Sequence, residues 1–247
     1  MSYRLGATTI NPAEVEQFSR IAEQWWDENG KFKPLHRINP LRISYIKARA
    51  AEHFAINEGQ VLSGKTLLDI GCGGGLISEP MARLGAKVTG LDASEKNIAV
   101  ATLHAQQSRL TIDYRSGSAE DLAATGANYD LVLALEVIEH VNHLDLFYDA
   151  LTKLVAPGGM LILSTLNRTV KSYLMGIIGA EYILGWLPRG THDWQKFIKP
   201  SEMQRALTQR GLEICDVTGM VFRPQNWEFA LKSNDLDVNY LLVARRP

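Results

Sequence analysis

The nine residues Leu68-Asp69-Ile70-Gly71-Cys72-Gly73-Gly74-Gly75-Leu76 restrict this chain more than any other stretch. A short apolar run ends in an acid, glycines follow almost without interruption, and a helical pattern resumes at Leu76. Glycine tolerates positive φ and carries no Cβ, so such a turn bends the backbone sharply and brings it close to a ligand. A strand, a glycine turn and a helix in that order open a βαβ unit, which demands a parallel sheet covered on both faces.

The rest of the chain continues that rhythm. TLLDI from Thr66 and AKVTGLD from Ala86 read as the first two strands, and LTIDYR, YDLVLALEV and GMLILSTL as three more. Helical patterns separate them. One runs from Leu76 to Leu84, and a second is rich in alanine behind a Ser94 cap. A third runs from Asn142 to Leu154, with Asn142 as cap and Pro157-Gly158-Gly159 closing it. The expected fold is α/β, a doubly wound and mostly parallel sheet of Rossmann-like type that binds its ligand along the carboxyl edge.

Flanking segments depart from the rhythm. Asn11-Pro12 opens a helix carrying Phe18, Ile21, Ala22 and Trp25, which stops near Asn29-Gly30. A loop with Pro34 and Pro40 follows, then a helix from Leu41 to about Ala55, so residues 1–60 form a helical cap. Residues 167–200 form a helical insertion after the fifth strand, and Ser201 caps one more helix. LEICDVTGM and DVNYLLVAR close the chain as strands around a polar loop from Pro224 to Asp235. At 247 residues, without repeats or linkers, residues 1–247 are expected to form a single domain.

Composition excludes some classes. A net charge of −1 supplies no bulk field for nucleic acid, so no such partner is expected. Cys72 and Cys215 are too few for a disulfide framework, and a cytoplasmic location is expected. No stretch reaches the roughly 18 apolar residues of a membrane span. The nearest approach, Met175 to Leu187, is shorter and contains Glu181.

Two acids flank the glycine turn. Asp69 ends the first strand, and Asp92 ends the second, near the offset of about 20 residues at which a carboxylate accepts ribose hydroxyls. A dinucleotide site shares both features but has a third glycine where this chain has Leu76. The D-x-G-x-G-x-G run with Gly71 and Gly73 favours S-adenosylmethionine (SAM), whose ammonium needs an acceptor such as Asp69. An NAD-binding oxidoreductase and a tight turn without ligand stay open. Gly117 to Leu122, with Ala119 and Glu120, stands where an adenine edge would lie, although Ser118-x-x-Asp121 is also an ordinary helix cap.

Taken together, WWDENGKFKPLHRINPLR, LDIGCGGG, VTGLD, STLNRT-x-KSYL, GAEYIL, PRGTHDWQKFIKP and DVNYLL resemble the bacterial O-methyltransferases of ubiquinone biosynthesis, from about Phe18 to Leu242. The extreme N-terminus and Gln225 to Asp235 depart from that pattern. The resemblance implies a SAM-dependent methyltransferase fold, with Arg42, Gly71, Asp92 and Leu135 contacting the cofactor. It also implies a polyprenyl phenol or catechol as acceptor and other proteins of ubiquinone biosynthesis as partners.

Methylating a phenol requires removal of a proton with a pKa of about 10. Glu136-Val137-Ile138-Glu139-His140 lies at the expected carboxyl end of the fourth strand. If a helical turn starts at Glu136, Glu136, Glu139 and His140 share one face and can bind a divalent ion such as Mg²⁺. His140 acting directly as base is the alternative, and a step that merely shapes the turn is another. His36, His192 and Asp193 are further candidates. Residues 170–187, apolar and aromatic with Arg168, Lys171 and Arg189 nearby, suit either a buried cap helix or a peripheral membrane contact.

Overall fold

The computed structural model describes residues 8–56, 60–174, 193–223, 225 and 228–247. It places the glycine turn after β1 (Thr66–Ile70), whose five residues are nearly all buried. The chain then alternates through α3 (Ser78–Arg83), β2 (Lys87–Asp92), α4 (Glu95–Gln107), β3 (Asp113–Ser116), α5 (Ala119–Ala124), β4 (Tyr129–Leu135), α6 (Leu144–Leu154) and β5 (Val155–Leu166). Ahead of β1 lie α1 (Pro12–Ser19) and α2 (Lys33–His53); after β5 come the single turn α7 (Val170–Ser172), α8 (Pro200–Thr208), β6 (Glu213–Arg223), β7 (Glu228–Lys232) and β8 (Asn239–Arg245).

Among the described residues these strands form one eight-stranded sheet in the order β3-β2-β1-β4-β5-β8-β6-β7. The first five pair in parallel, while β8 runs antiparallel to both β5 and β6, and β6 antiparallel to β7. The mostly parallel doubly wound sheet is therefore present. Antiparallel pairing brings Asn239 opposite Leu166 and Met220, and Phe222 opposite Phe229. The carboxyl ends of β1 to β5 thus share one edge with the start of β8, the end of β6 and the start of β7.

Strand alternation divides the core into two layers. Leu68, Val132, Ala134 and Leu161 join Phe147 and Leu151 of α6 on one face. Leu67, Leu131, Leu133 and Ile162 join Ile38 and Ile46 of α2 and Met81 of α3 on the other. The central strands β1, β4, β5 and β8 are covered on both sides, which is why their sequences read as largely continuous apolar runs.

Several boundaries differ from expectation. The first helix ends at Ser19 and gives way to a short 3-10 turn at Ala22–Gln24. α2 starts at Lys33, placing Pro34 in the first turn and Pro40 inside the helix. Proline at the start of a helix is harmless. At an interior position it removes a hydrogen bond, and burial of Ile38, Tyr45, Ile46 and Ala50 keeps the helix intact around it. Asn142 does not cap α6: its amide donates to the Thr9 carbonyl at 3.0 Å and its side chain to the Ile10 carbonyl at 2.8 Å, while His143 takes the cap position. Likewise α8 starts with Pro200 after Lys199, not with a Ser201 cap. The supposed polar loop contains β7, an edge strand. Residues 175–192 lie outside the described residues, and with them Met175 to Leu187 and His192.

Candidate functional site

A cavity of about 690 Å³ lies along the shared strand edge. Its nucleotide-like half is built by the turns after β1, β2 and β4. Gly71 and Gly73 have φ of +69° and +53°. A Cβ on Gly71 would lie 2.3 Å from Val137 Cγ2, and one on Gly73 2.3 Å from the Trp25 ring. The glycines therefore serve both the turn and close approach, here to the loop after β4 and to the N-terminal cap.

Asp69 is buried at the floor, where Ser78 Oγ donates to it at 2.6 Å. Burial pushes its carboxyl up to about 7; the Ser78 bond opposes this and the Asp92 charge adds to it. Asp92 accepts from Gly73 N at 2.9 Å, Ser94 N at 2.8 Å and Asn97 Nδ2 at 3.1 Å. Its burial raises the carboxyl above the ordinary range in spite of those donors. Two acceptors thus stand at the carboxyl ends of neighbouring strands, as expected for gripping an ammonium and a sugar. Ala119, which starts α5 behind the Ser118 cap, and Leu135 also line the cavity. Glu120 turns elsewhere: its carboxylate accepts from Thr8 Oγ1 and Thr9 N, both at 2.7 Å, and anchors the N-terminal segment.

Arg42 lines the cavity, but its guanidinium already grips Glu136 Oε1 at 2.6 Å. That oxygen also accepts from Ser164 Oγ at 2.7 Å and Asn239 Nδ2 at 3.0 Å. Glu136 has φ of +57°, a conformation costly for a non-glycine residue. Three donors from α2, β5 and β8 hold it there.

The expected helical turn from Glu136 is not formed. Residues 138–140 make a 3-10 turn, in which Glu139 stays near Glu136 while His140 turns away from both. Glu139 is buried, with Oε2 accepting from Thr165 Oγ1 at 2.8 Å and Oε1 without a partner among the described residues. Burial, followed by the Glu136 charge, raises its carboxyl well above the ordinary range. His140 instead places Nδ1 3.0 Å from Glu14 Oε2. Among the described residues no group of three His, Cys, Asp or Glu side chains is arranged to hold a metal ion. The proposed Mg²⁺ set of Glu136, Glu139 and His140 does not fit this geometry.

Sequence reading missed Glu14. Its carboxylate holds His140 on one oxygen and Lys196 Nζ at 3.1 Å on the other, and these two partners lower its carboxyl below the ordinary range against the desolvation of partial burial. The Phe18 ring meets His140 edge-on at 5.4 Å. An acid in the first turn of a helix signals only the helix dipole, so nothing in the sequence set Glu14 apart. Trp25 and Trp26, within the span expected for the first helix, instead lie beyond its end at Ser19. Trp25 donates to Asn97 Oδ1 at 2.9 Å, and Trp26 donates to the Gly74 carbonyl at 2.9 Å and stacks on His104 at 3.4 Å. His36 Nε2 donates to the Trp25 carbonyl at 2.8 Å and Asp193 caps a short 3-10 turn, and neither lines the cavity.

A methyltransferase-domain model matches residues 43–217. The ubiquinone biosynthesis O-methyltransferase of Cereibacter sphaeroides is 52% identical over 97% of this chain and 98% of its own. The chain belongs to this family of O-methyltransferases. The Brucella ovis member is 51% identical over 97% of both chains. The magnesium protoporphyrin IX methyltransferase of Synechocystis, solved with bound SAM, shares the fold of this O-methyltransferase. It is 20% identical, with a TM-score of 0.63 over 98% of this chain and 100% of that one. The family assignment removes the oxidoreductase and the empty turn as readings. This O-methyltransferase is a SAM-dependent enzyme. Asp69, Gly71, Asp92 and Leu135 line the cavity and could hold that cofactor, whereas Gly73 is covered by Trp25 and gives its N–H to Asp92.

Proposed function

We propose that the enzyme methylates ring hydroxyls of polyprenylated phenols or catechols on the route to ubiquinone, with His140 as base and Glu14 as the residue that positions it. The observation that carries the proposal is a single cavity in which the SAM-type cradle, His140 and an apolar region are continuous. SAM, when bound, supplies a methyl group on a cationic sulfonium, open to in-line attack by an oxygen.

The chain's own residues then have two tasks. Asp69, Asp92 and the glycine backbone hold the donor in one orientation, so that attack becomes effectively intramolecular. His140 accepts the phenolic proton as the oxygen attacks. Glu14 bonded to Nδ1 fixes the ring and stabilises the imidazolium that forms, leaving Nε2 as the proton-accepting nitrogen. Arg42 and Glu136 act as a preorganised wall beside the reacting edge.

Support for the acceptor class comes from the names of relatives at 51–52% identity over almost the whole chain. A lipid-tailed acceptor also gives a reason for contact with a membrane surface through residues 170–187, and for handover between enzymes of the same route. No helix among the described residues is long and apolar enough to cross a membrane. Flotation with anionic liposomes tests the surface contact; the polar variants at Ile183 and Trp186 should lose it.

The test of the chemistry is His140→Asn assayed with SAM and a short-tailed demethylated quinol. Turnover should fall by about 10²–10⁴ while SAM still binds. The deficit should shrink as pH rises toward the phenol's own pKa, because a phenolate needs no base. A variant with full turnover at neutral pH would remove His140 from the mechanism.

A further inference from the structure

The part of the cavity away from the glycine turn is built by β6 and β7, of which β7 falls in the stretch expected as a polar loop. Met220, Val221 and Phe222 at the end of β6 line it, with Phe229 of β7, Leu174 and, from α2, Ile38. Met220 and Phe222 point to the same sheet face by the two-residue period, and Phe229 stands directly opposite Phe222. The two rings meet at 5.3 Å, tilted by 52°. α2 packs against β7, so this region is a channel between a helix and a hairpin. From β4, where His140 follows, to β7 the sheet order crosses β5, β8 and β6, a lateral distance of about 19 Å at the usual strand spacing. One end of that span meets the reacting edge. Leu174, just after α7, lines the cavity while remaining 52% exposed, so part of the wall reaches the surface.

We infer that this hairpin channel is the subsite for the isoprenoid tail of the acceptor, with Phe222 and Phe229 as its specificity-determining residues. The inference rests on the acceptor reading above. An aromatic ring alone needs only the space beside His140. A channel continued across the remaining strands, largely apolar along its walls and open to the surface, fits a long hydrocarbon tail attached to that ring. Two charged residues of the cavity lining, Lys171 and Asp235, pair with each other at 3.3 Å. The channel also has a hydrophobic reason to prefer longer tails: each buried methylene contributes about 0.8 kcal/mol. Selectivity by tail length thus follows from the β6–β7 hairpin and not from the nucleotide half of the fold.

The experiment compares a tail-less catechol with one carrying several isoprene units, both in detergent, with SAM in excess. In the Phe229→Ala and Phe222→Ala variants, kcat/KM for the tailed acceptor should fall about tenfold further than for the tail-less one, chiefly through KM. Leu174→Trp, at an exposed position tolerant of bulk, should narrow the mouth and give the same selective loss without touching the core. Equal losses for both acceptors in all three variants, or no loss for either, would overturn the tail subsite. Failure of the unmodified enzyme to methylate either catechol would instead overturn the acceptor reading itself, so the two failures are distinguishable.

Discussion

Asp69 shows how one buried carboxyl links the site to stability. In the folded chain it holds its proton up to about pH 7, whereas an unfolded aspartate releases it near pH 4. Between those values the folded state binds more protons than the unfolded one. The contribution of this group is therefore fully present below about pH 4 and is lost as pH rises through 7. Asp69→Asn should remove that dependence. In urea melts of the cofactor-free enzyme, the stability of the variant relative to the parent should rise steadily across this window. Parallel profiles would show that Asp69 titrates normally. Glu136 makes a related point, since its unfavourable φ of +57° is maintained by Arg42, Ser164 and Asn239 from three other segments. None of these contacts is local, so no inspection of the residues next to Glu136 predicts the strain.

At the level of elements, the N-terminal helices are docked onto the cofactor turn. Trp25 lies across Gly73 and Gly74 and donates to Asn97 of α4; Trp26 donates to the Gly74 carbonyl. Stacking of Trp26 on His104, and the bond of His104 to the buried Glu79 at 2.6 Å, extend the contact to α3. Gly73→Ala should break this docking, because its methyl group would lie 2.3 Å from the Trp25 ring at a φ that alanine resists. The expected result is a loss of about 2–4 kcal/mol together with weaker SAM binding. Hydrogen exchange should show faster opening of α1 and the start of α2. Protection unchanged in those helices would mean that the cap and the turn are independent. Helix starts such as Asn11-Pro12 and Ser94 were legible because caps act within one turn. α2 and β7 were not, because burial against the sheet overrides the proline in one and edge pairing supplies the partner of the other.

The molecule as a whole brings the ends of its strands to one edge, and a ligand bound there touches β1, β2, β4 and the N-terminal cap together. Its binding energy should stabilise the entire cooperative unit. With SAM at 100 times its Kd, the free energy of unfolding should increase by about 2.7 kcal/mol. Tryptophan fluorescence and far-UV dichroism should report the same shift in midpoint. In Asp92→Ala the shift at that SAM concentration should nearly vanish, since three protein donors and the ribose would lose a shared acceptor. An unaltered shift would place the nucleoside at another edge.

The methyl-donor class came from the family resemblance, while the sequence by itself determined the parallel core, the glycine turn and both acids at the strand ends. These depend on short-range rules: two-residue and helical periods, caps, and the conformational freedom of glycine. Only the tertiary structure decided what Glu136, Glu139 and His140 do. A 3-10 turn after a left-handed residue sends them to Arg42, Thr165 and Glu14, not to a common metal point. It likewise brought Glu14 to His140 across 126 positions of sequence, and Phe229 opposite Phe222 in the apolar half of the cavity. Partners that meet through chain folding leave no mark in local spacing, because the energy that selects them comes from burial and pairing between distant segments.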